Sequence, residues 1–260
     1  MTSPETDGRI DTESHEGIFR IVMNRPAKKN ALTIAMYSSL TEAVEQAEKD
    51  PAVRVILIAG AGDCFTSGND LQDFLDHPPT HESSPVFRFM AAVNRAEKPL
   101  IAAVSGLAVG LGTTMLLHCD LVYAGTNARF MLPFVNLGLC PEAGSSFLLP
   151  LLAGHRRASE ILLLGEIFSA EKAKEVGLVN AVLDDSQVLN YALEQAKKVA
   201  AKPQVSVRLT KTMLKKTNAR MVEATIYEEA RHLIERVGSP EASEAFNAFF
   251  ERRKPDFSKF

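Results

Sequence analysis

Glu142 sets the first question about this chain. In the run "LGLCPEAGSSF" (137–147) it stands among small and apolar side chains, and the nearest other charged or histidine residues are Arg129 and His155. One reading is a solvated turn residue, or a cap on a helix beginning near Ala143, where a carboxylate complements the helix dipole. The other is a carboxylate held in an apolar wall, with its pKa raised by desolvation so that it can shuttle protons near neutrality. Two glycine-bearing turns offer a complement to the second reading. "CFTSGNDL" (64–71) follows the apolar run "VRVILIAG", and "SGLAVGLGTT" (105–114) follows "PLIAAVSG". Each reads as a strand-to-helix turn in which glycine permits positive φ or close backbone approach, leaving the first helical N–H groups free to hold an oxygen anion. Two such donors converging on a carbonyl oxygen, with a carboxylate beside them, suit proton abstraction next to a carbonyl. Each donor is typically worth ~3–4 kcal/mol to the developing oxyanion. The sequence leaves their convergence in space open.

Competing chemistries lack their spacing. The glycines at 106, 110 and 112 do not make G-x-G-x-x-G, because Met115 stands at the third glycine position, and no Gly-Lys-Ser/Thr of a P-loop follows. Ser67 is not in a G-x-S-x-G elbow. Asp70, Asp73 and Asp76 fall at steps of three, which reads as a helix N-terminus and its solvated face rather than a metal site. His118 and Cys119 are adjacent and project to opposite sides, so they do not make a dyad. His77 and His81 flank the loop "DHPPTHESSP" (76–85) without metal-ligand spacing. The expectation is no metal site and no cofactor.

The elements that must carry these residues follow from patterning. "IFRIVMN" (18–24), residues 53–60, 99–106 and 120–125 are apolar, β-branched strand signals, and Met36, Leu40, Ala43, Val44 and Ala47 recur at helical spacing. Alternation of this kind favours α/β architecture. The last third is helical in pattern: residues 185–201, 203–217 and 219–237, then a final helix capped by Ser239-Pro240. That last helix carries Ala242, Ala245, Phe246 and Phe249 on one face, which its own domain or another subunit must cover. No internal repeat is visible. At 46% apolar and 23% charged residues, with a net charge of −3, the chain has a globular composition and no basic surface calling for nucleic acid or an anionic membrane. The three cysteines form no CxxC motif and suit a reduced, cytoplasmic setting. Residues 1–14 read as a flexible, acidic N-terminus, and no run approaches the ~18 apolar residues of a membrane span. The terminal "SKF" is one residue from a peroxisomal address.

The ordered set "NRPAKKNAL" (24–32), "FTSGNDL" (65–71), "SGLAVGLGTTMLLHCDLVYA" (105–124) and "GLCPEAGSS" (138–146) resembles the crotonase superfamily of enoyl-CoA hydratases and isomerases, from about residue 15 to the C-terminus. The resemblance implies a spiral of ββα turns forming an acyl-CoA-binding core (15–197). A helical oligomerisation region (198–260) would follow, making a homotrimer or a hexamer of paired trimers. It implies an acyl-CoA thioester as substrate, the backbone N–H groups of Asn69 and Leu111 as oxyanion donors, and Gly110 as a substrate-binding residue of the second turn. Thr66, Ser67, Gly68, Asn69 and Asp70 would run beside the thioester, and Lys28 and Lys29 would contact the nucleotide end of CoA. Ala27 stands where many relatives have lysine.

The departures from the hydratase pattern are informative. The two glutamates that hydratases use to position water fall here at Thr114 and Phe134, so water addition lacks its bases. Glu142 fills the slot of the single glutamate in peroxisomal-type Δ3,Δ2-enoyl-CoA isomerases. The resemblance thus implies a shift of a 3,4 double bond to the 2,3 position by one base, with no metal or redox group. Two alternatives stand beside it: isomerisation of a ring-containing acyl-CoA in aromatic degradation, and a catalytically silent protein that binds CoA esters.

Overall fold

The computed structural model describes residues 8–260. β1 (Arg9–His15) pairs antiparallel with β2 (Ile18–Asn24), and His15 lies opposite Ile18. The two-residue turn between them, Glu16 and Gly17, has φ of 50° and 79°, the left-handed backbone that such tight hairpins require. This corrects the expectation of a flexible segment reaching residue 14. Residues 9–14 are strand, and residues 1–7 lie outside the described residues. Polar "RIDTESH" carries no apolar alternation because it is an edge strand whose side chains are largely exposed.

α1 (Ile34–Lys49) leads to β3 (Val55–Gly60), α2 (Leu71–Asp76) and α3 (Pro85–Arg95). β4 (Leu100–Val104), β5 (Leu107–Val109) and α4 (Leu111–Thr114) follow, then a 3-10 turn at Met115–His118, β6 (Leu121–Gly125) and β7 (Arg129–Met131). α5 (Ser145–Ala153), α6 (His155–Leu164), β8 (Phe168–Ser169), α7 (Ala170–Glu175), β9 (Ala181–Leu183) and α8 (Val188–Ala200) complete the core. The helices α9 (Gln204–Lys216), α10 (Ala219–Val237) and α11 (Pro240–Phe250) pack at its end.

The main sheet runs β1-β2-β3-β4-β6-β9 and is parallel from β2 onward. A second ladder, β5-β7-β8, is continued by isolated parallel bridges between Thr66 and Ala108 and between Leu32 and Asn69. After each of β2, β3, β4 and β6 the chain therefore makes a contact in the second ladder before its next helix. This is the expected spiral of ββα turns. The repeat is invisible in the sequence because main-chain pairing, not residue identity, recurs.

β3 and β4 are buried along nearly their whole length, as parallel strands covered on both faces must be. Ile56, Ile58, Leu100, Ala102 and Val104 face the larger core beneath α1 and α3. The alternate residues Val55, Leu57, Ala59, Ile101 and Ala103 face α8 through Val188, Ala192 and Ala196. α8 thus belongs to the core to its end at Ala200, and the break before the C-terminal helices falls near Pro203 rather than at 197. The stripe on α11 is covered from within the chain: Phe246 packs on Phe74 of α2, ring centroids 6.3 Å apart, beside Leu137 and Leu139. Phe249, by contrast, is 58% exposed. Further exposed apolar residues lie on α9 (Val205, Leu209, Met213, Leu214) and at the ends of α5 and α6 (Leu151, Leu152, Leu163, Leu164). Among the described residues no helix is long and apolar enough to cross a membrane.

Candidate active site

The two glycine turns lie against each other. Gly68 has φ +86°, and a Cβ there would stand 2.7 Å from the Val109 carbonyl oxygen; a Cβ on Gly112 would stand 2.5 Å from Thr66 Cγ2. No larger residue fits either position without separating the turns. Gly110 adopts φ +55°, ψ −119° at the head of α4, a conformation that L side chains avoid. The backbone N–H groups of Asn69 and Leu111 find no protein acceptor among the described residues, and both residues line one cavity of about 600 Å³ with Glu142.

Buried polar side chains fix the first turn. Asn30 is fully buried; its amide donates to the Ala61 and Cys64 carbonyls, and its own oxygen accepts from the Arg25 N–H. Asp70 caps α2 by accepting from the Gln72 and Asp73 N–H groups, and its other oxygen pairs with Arg25 at 2.6 Å. Burial works to raise the Asp70 carboxyl, but the Arg25 guanidinium and the two N–H donors outweigh it and leave its pKa below the usual value. Asp73 reaches across to accept from the Ile34 N–H at 2.6 Å. The aspartates at steps of three are thus a helix cap and a tie between segments. Tyr37, buried on α1, donates its hydroxyl to Asn69 Oδ1. Burial, and after it the nearby Glu142, push its phenol well above the usual pKa, so it stays a neutral donor.

Glu142 is 3% exposed, which removes the solvated-turn reading. Desolvation first, and then the Glu229 carboxylate, push its pKa up to about 8. It is not the helix cap either. α5 begins at Ser145, whose N–H donates to the Glu142 backbone carbonyl. The N–H groups on either side of it are taken by the Glu229 carboxylate of α10: Gly144 N donates to Oε2 at 2.6 Å and Ser146 N to Oε1 at 2.8 Å. Between carboxyl and helix the chain makes a sharp left-handed turn through Ala143 (φ +59°) and Gly144 (φ +74°). For alanine this conformation costs ~1–2 kcal/mol. The Ala143 carbonyl accepts a 2.7 Å hydrogen bond from Nε2 of buried His118.

Much of the remaining cavity wall is apolar, with Phe74, Phe134, Leu137, Leu139, Leu233 and Phe246 among its residues, and Gln72 and Asn136 add polar groups. Of the residues expected at the site, Lys28, Ser67, Gly68, Asn69, Asp70, Gly110, Leu111 and Glu142 line it. Two expected contacts are not brought there. Thr66 is fully buried behind the turn, donating to the Asn30 carbonyl and accepting from the Gly68 N–H, so it supports the turn. Lys29 is the exposed left-handed residue closing a 3-10 turn, and it contributes its carbonyl to the Ser67 N–H. Thr114 is buried away from the cavity, while Phe134 forms part of its wall. Sequence reasoning missed Arg25, Asn30, Tyr37, His118 and Glu229. For Glu229 a signal existed: it interrupts the apolar stripe Val222, Ile226, Ala230, Leu233 of α10. The C-terminal helices also do more than expected, since α10 and α11 supply cavity wall.

Comparison with known proteins agrees with this architecture. The family profile described as enoyl-CoA hydratase/isomerase matches residues 13–259. The solved structure of Pseudomonas aeruginosa OdaA superposes with a TM-score of 0.91 at 49% identity, covering 94% of this chain and 99% of that one. The 1,2-epoxyphenylacetyl-CoA isomerase of Escherichia coli is 33% identical over 94% of this chain and 95% of its own length. The enoyl-CoA delta isomerase 2 of Rattus norvegicus is 36% identical over 96% of this chain, which spans 65% of that longer protein. Hydratases and dehalogenases stand among further relatives at 33% and 32% identity.

Proposed function

This chain belongs to the enoyl-CoA hydratase/isomerase family, and within it we propose that it moves a 3,4 double bond of an acyl-CoA thioester to the 2,3 position. The observation that carries this reading is the one cavity carboxylate left without a cation: Glu142 is buried in the wall, whereas Asp70 is paired with Arg25, and the positions where the resemblance places the hydratase glutamates are Thr114 and Phe134.

In the proposed cycle the Glu142 carboxylate takes a proton from C2 of the substrate. The C2–H electrons form a C1=C2 bond and the carbonyl π pair moves onto the thioester oxygen, giving a dienolate that keeps its C3=C4 bond. The Asn69 and Leu111 N–H groups hold that oxygen. Glu142, now neutral, returns the proton to C4. The carbonyl re-forms, the C1=C2 pair becomes C2=C3, and the C3=C4 pair takes the proton at C4, leaving the conjugated 2-enoyl thioester. One base suffices because both carbons can present the same face to it, and a carboxyl with a pKa near 8 is matched to both taking and giving a proton near neutrality. The cycle calls for no metal or redox group. Lys28 is the proposed contact for the charged end of CoA; Asp70 is already engaged by Arg25 and serves the turn. Assembly as a homotrimer or paired trimers is part of the reading, supported by the exposed apolar residues of α9, α5 and α6.

The test is turnover of cis- and trans-3-enoyl-CoA by the purified protein, following the absorbance of the conjugated product, with Glu142→Gln alongside. Isomerisation lost in the variant supports the reading; near-normal activity in Glu142→Gln sinks it. A second reading, isomerisation of a ring-containing acyl-CoA, is favoured by the aromatic wall of Phe74, Phe134 and Phe246 and by the likeness to the E. coli relative. Faster turnover of ring substrates would establish it. Binding of acyl-CoA with no turnover of either class would leave a CoA-ester-binding protein.

A further inference from the structure

The turn that carries Glu142 is gripped from two sides by groups that do not line the cavity. On one side His118, from the 3-10 turn after α4, meets the Ala143 carbonyl through Nε2 at 2.7 Å. A carbonyl oxygen only accepts, so this nitrogen carries the proton, and burial, which pushes the His118 pKa down to about 4, keeps the ring neutral. On the other side Glu229 takes the Gly144 and Ser146 N–H groups, one on each carboxylate oxygen. Gly144 also sits flush on α10, where a Cβ would stand 3.2 Å from Ile226 Cγ1. The peptide between these grips includes Ala143 in the left-handed conformation, which an unrestrained alanine would leave.

The placement matters because the two partners come from separate parts of the fold. His118 belongs to the same ββα turn as Leu111, and Glu229 belongs to the C-terminal helices. Resting on the reading that Glu142 is the base, we propose that His118 and Glu229 form a two-sided clamp on the Ala143–Gly144 turn and act as positioning residues that hold the Glu142 carboxyl at the cavity wall. The clamp links the base to the element bearing one oxyanion donor, so the two are set relative to each other by a hydrogen bond rather than by packing alone. Glu229 does a second thing: as a nearby carboxylate it opposes ionisation of Glu142. The groups facing Glu229 are Cys140 and Glu142 from the loop, Ser146 from α5 and Glu228 from its own helix. Those facing His118 are Lys215 and Lys211 of α9, the latter paired with Asp120.

The experiment compares His118→Leu, His118→Gln, Glu229→Ala and Glu229→Gln in the full chain, with trans-3-enoyl-CoA as substrate. His118→Leu and Glu229→Ala are expected to lose on the order of 10²-fold in kcat with KM changed less than about threefold, the loss that a misplacement of ~1 Å produces. His118→Gln, whose amide can donate in place of Nε2, is expected to recover at least tenfold of that loss. Glu229→Gln keeps the side-chain shape and one of the two N–H acceptors while removing the charge, so the pH midpoint of kcat/KM should move below that of the parent. A purely structural role would lower Tm in all four while leaving kcat and the pH midpoint unchanged, and that result overturns the proposal. A readout without substrate covers a truncation that fails to fold and a wrong assignment of the reaction. The infrared C=O stretch of the Glu142 carboxyl, assigned by its loss in Glu142→Gln, is titrated in His118→Gln and Glu229→Gln. A midpoint lower in Glu229→Gln than in the parent supports the clamp; identical midpoints in all three proteins reject it. Activity retained in Glu142→Gln would reject the reaction reading alone.

Discussion

Two acidic residues line the same cavity and are treated in opposite ways. Asp70 is given Arg25 and two helix N–H groups, and its carboxyl lies below the usual range. Glu142 is given an apolar wall and a second carboxylate nearby, and its pKa rises to about 8. Burial disfavours the charge of both. The sign of the outcome is decided by whether donors compensate that burial, since a pKa reports the difference in stabilisation between charged and neutral forms. The compensated residue caps a helix and braces a turn. The uncompensated one costs stability and is free to exchange a proton. The contrast separates support from chemistry within one cavity.

The largest effect should come from removing the uncompensated carboxyl. Glu142→Gln is expected to lose roughly 10²–10⁴-fold in isomerisation rate while retaining acyl-CoA binding, measured by single-turnover kinetics and calorimetry. Next comes breaking the compensated pair. Arg25→Met leaves half-buried Asp70 without its cation and should cost ~2–3 kcal/mol of stability in denaturant titration; if the loss is below ~1 kcal/mol, the pair is not what holds the turn.

The pH dependence then distinguishes the two residues. Below about 8, Glu142 is protonated in the folded protein, so kcat/KM should rise with pH about tenfold per unit and level off above that value. Because its folded pKa is raised, its contribution to stability is complete below about 4.5 and is lost as pH rises from there through about 8. Glu142→Gln removes that loss, so its Tm should exceed the parent's by roughly 5 °C at pH 9 and match it near pH 4. Asp70 has the opposite sign: its lowered pKa contributes stability above about 3.8 that disappears as pH falls through its folded value. The smallest expected effect contrasts the two lysines. Lys28→Ala should raise KM for the CoA ester about threefold, and Lys29→Ala, whose side chain does not reach the cavity, should leave it within error. Equal effects would show that the nucleotide end of CoA reaches beyond the cavity.

Much of this arrangement was legible in one dimension. Both glycine turns were legible because positive φ and close approach leave glycine as the residue that fits, and Glu142 because a lone charge in an apolar run is rare. The buried strands were legible because parallel strands covered on both faces must be continuously apolar. β1 was not, because an edge strand exposed on its sides needs no apolar pattern and is specified by its hairpin turn. His118 and Glu229 were not, because a single polar residue in a core-facing stripe looks the same whether it braces a loop or merely finds a partner. Thr66 was expected beside the thioester although its side chain is buried behind the turn and off the cavity, because one residue of register in an extended segment separates the two faces.

By itself the sequence determined the α/β class, the family, the two turns able to offer N–H groups and the presence of one isolated carboxylate as a candidate base. These are properties of residue type at short range, where backbone sterics and periodicity act directly. Only the tertiary structure decided that Gly68 touches the Val109–Gly110 turn, that Glu142 is dry, and that α10 and α11 close the cavity and cap the loop. Those facts depend on groups from about 40 to more than 170 residues apart, and Glu142 owes its raised pKa to that burial, a long-range quantity no local pattern records.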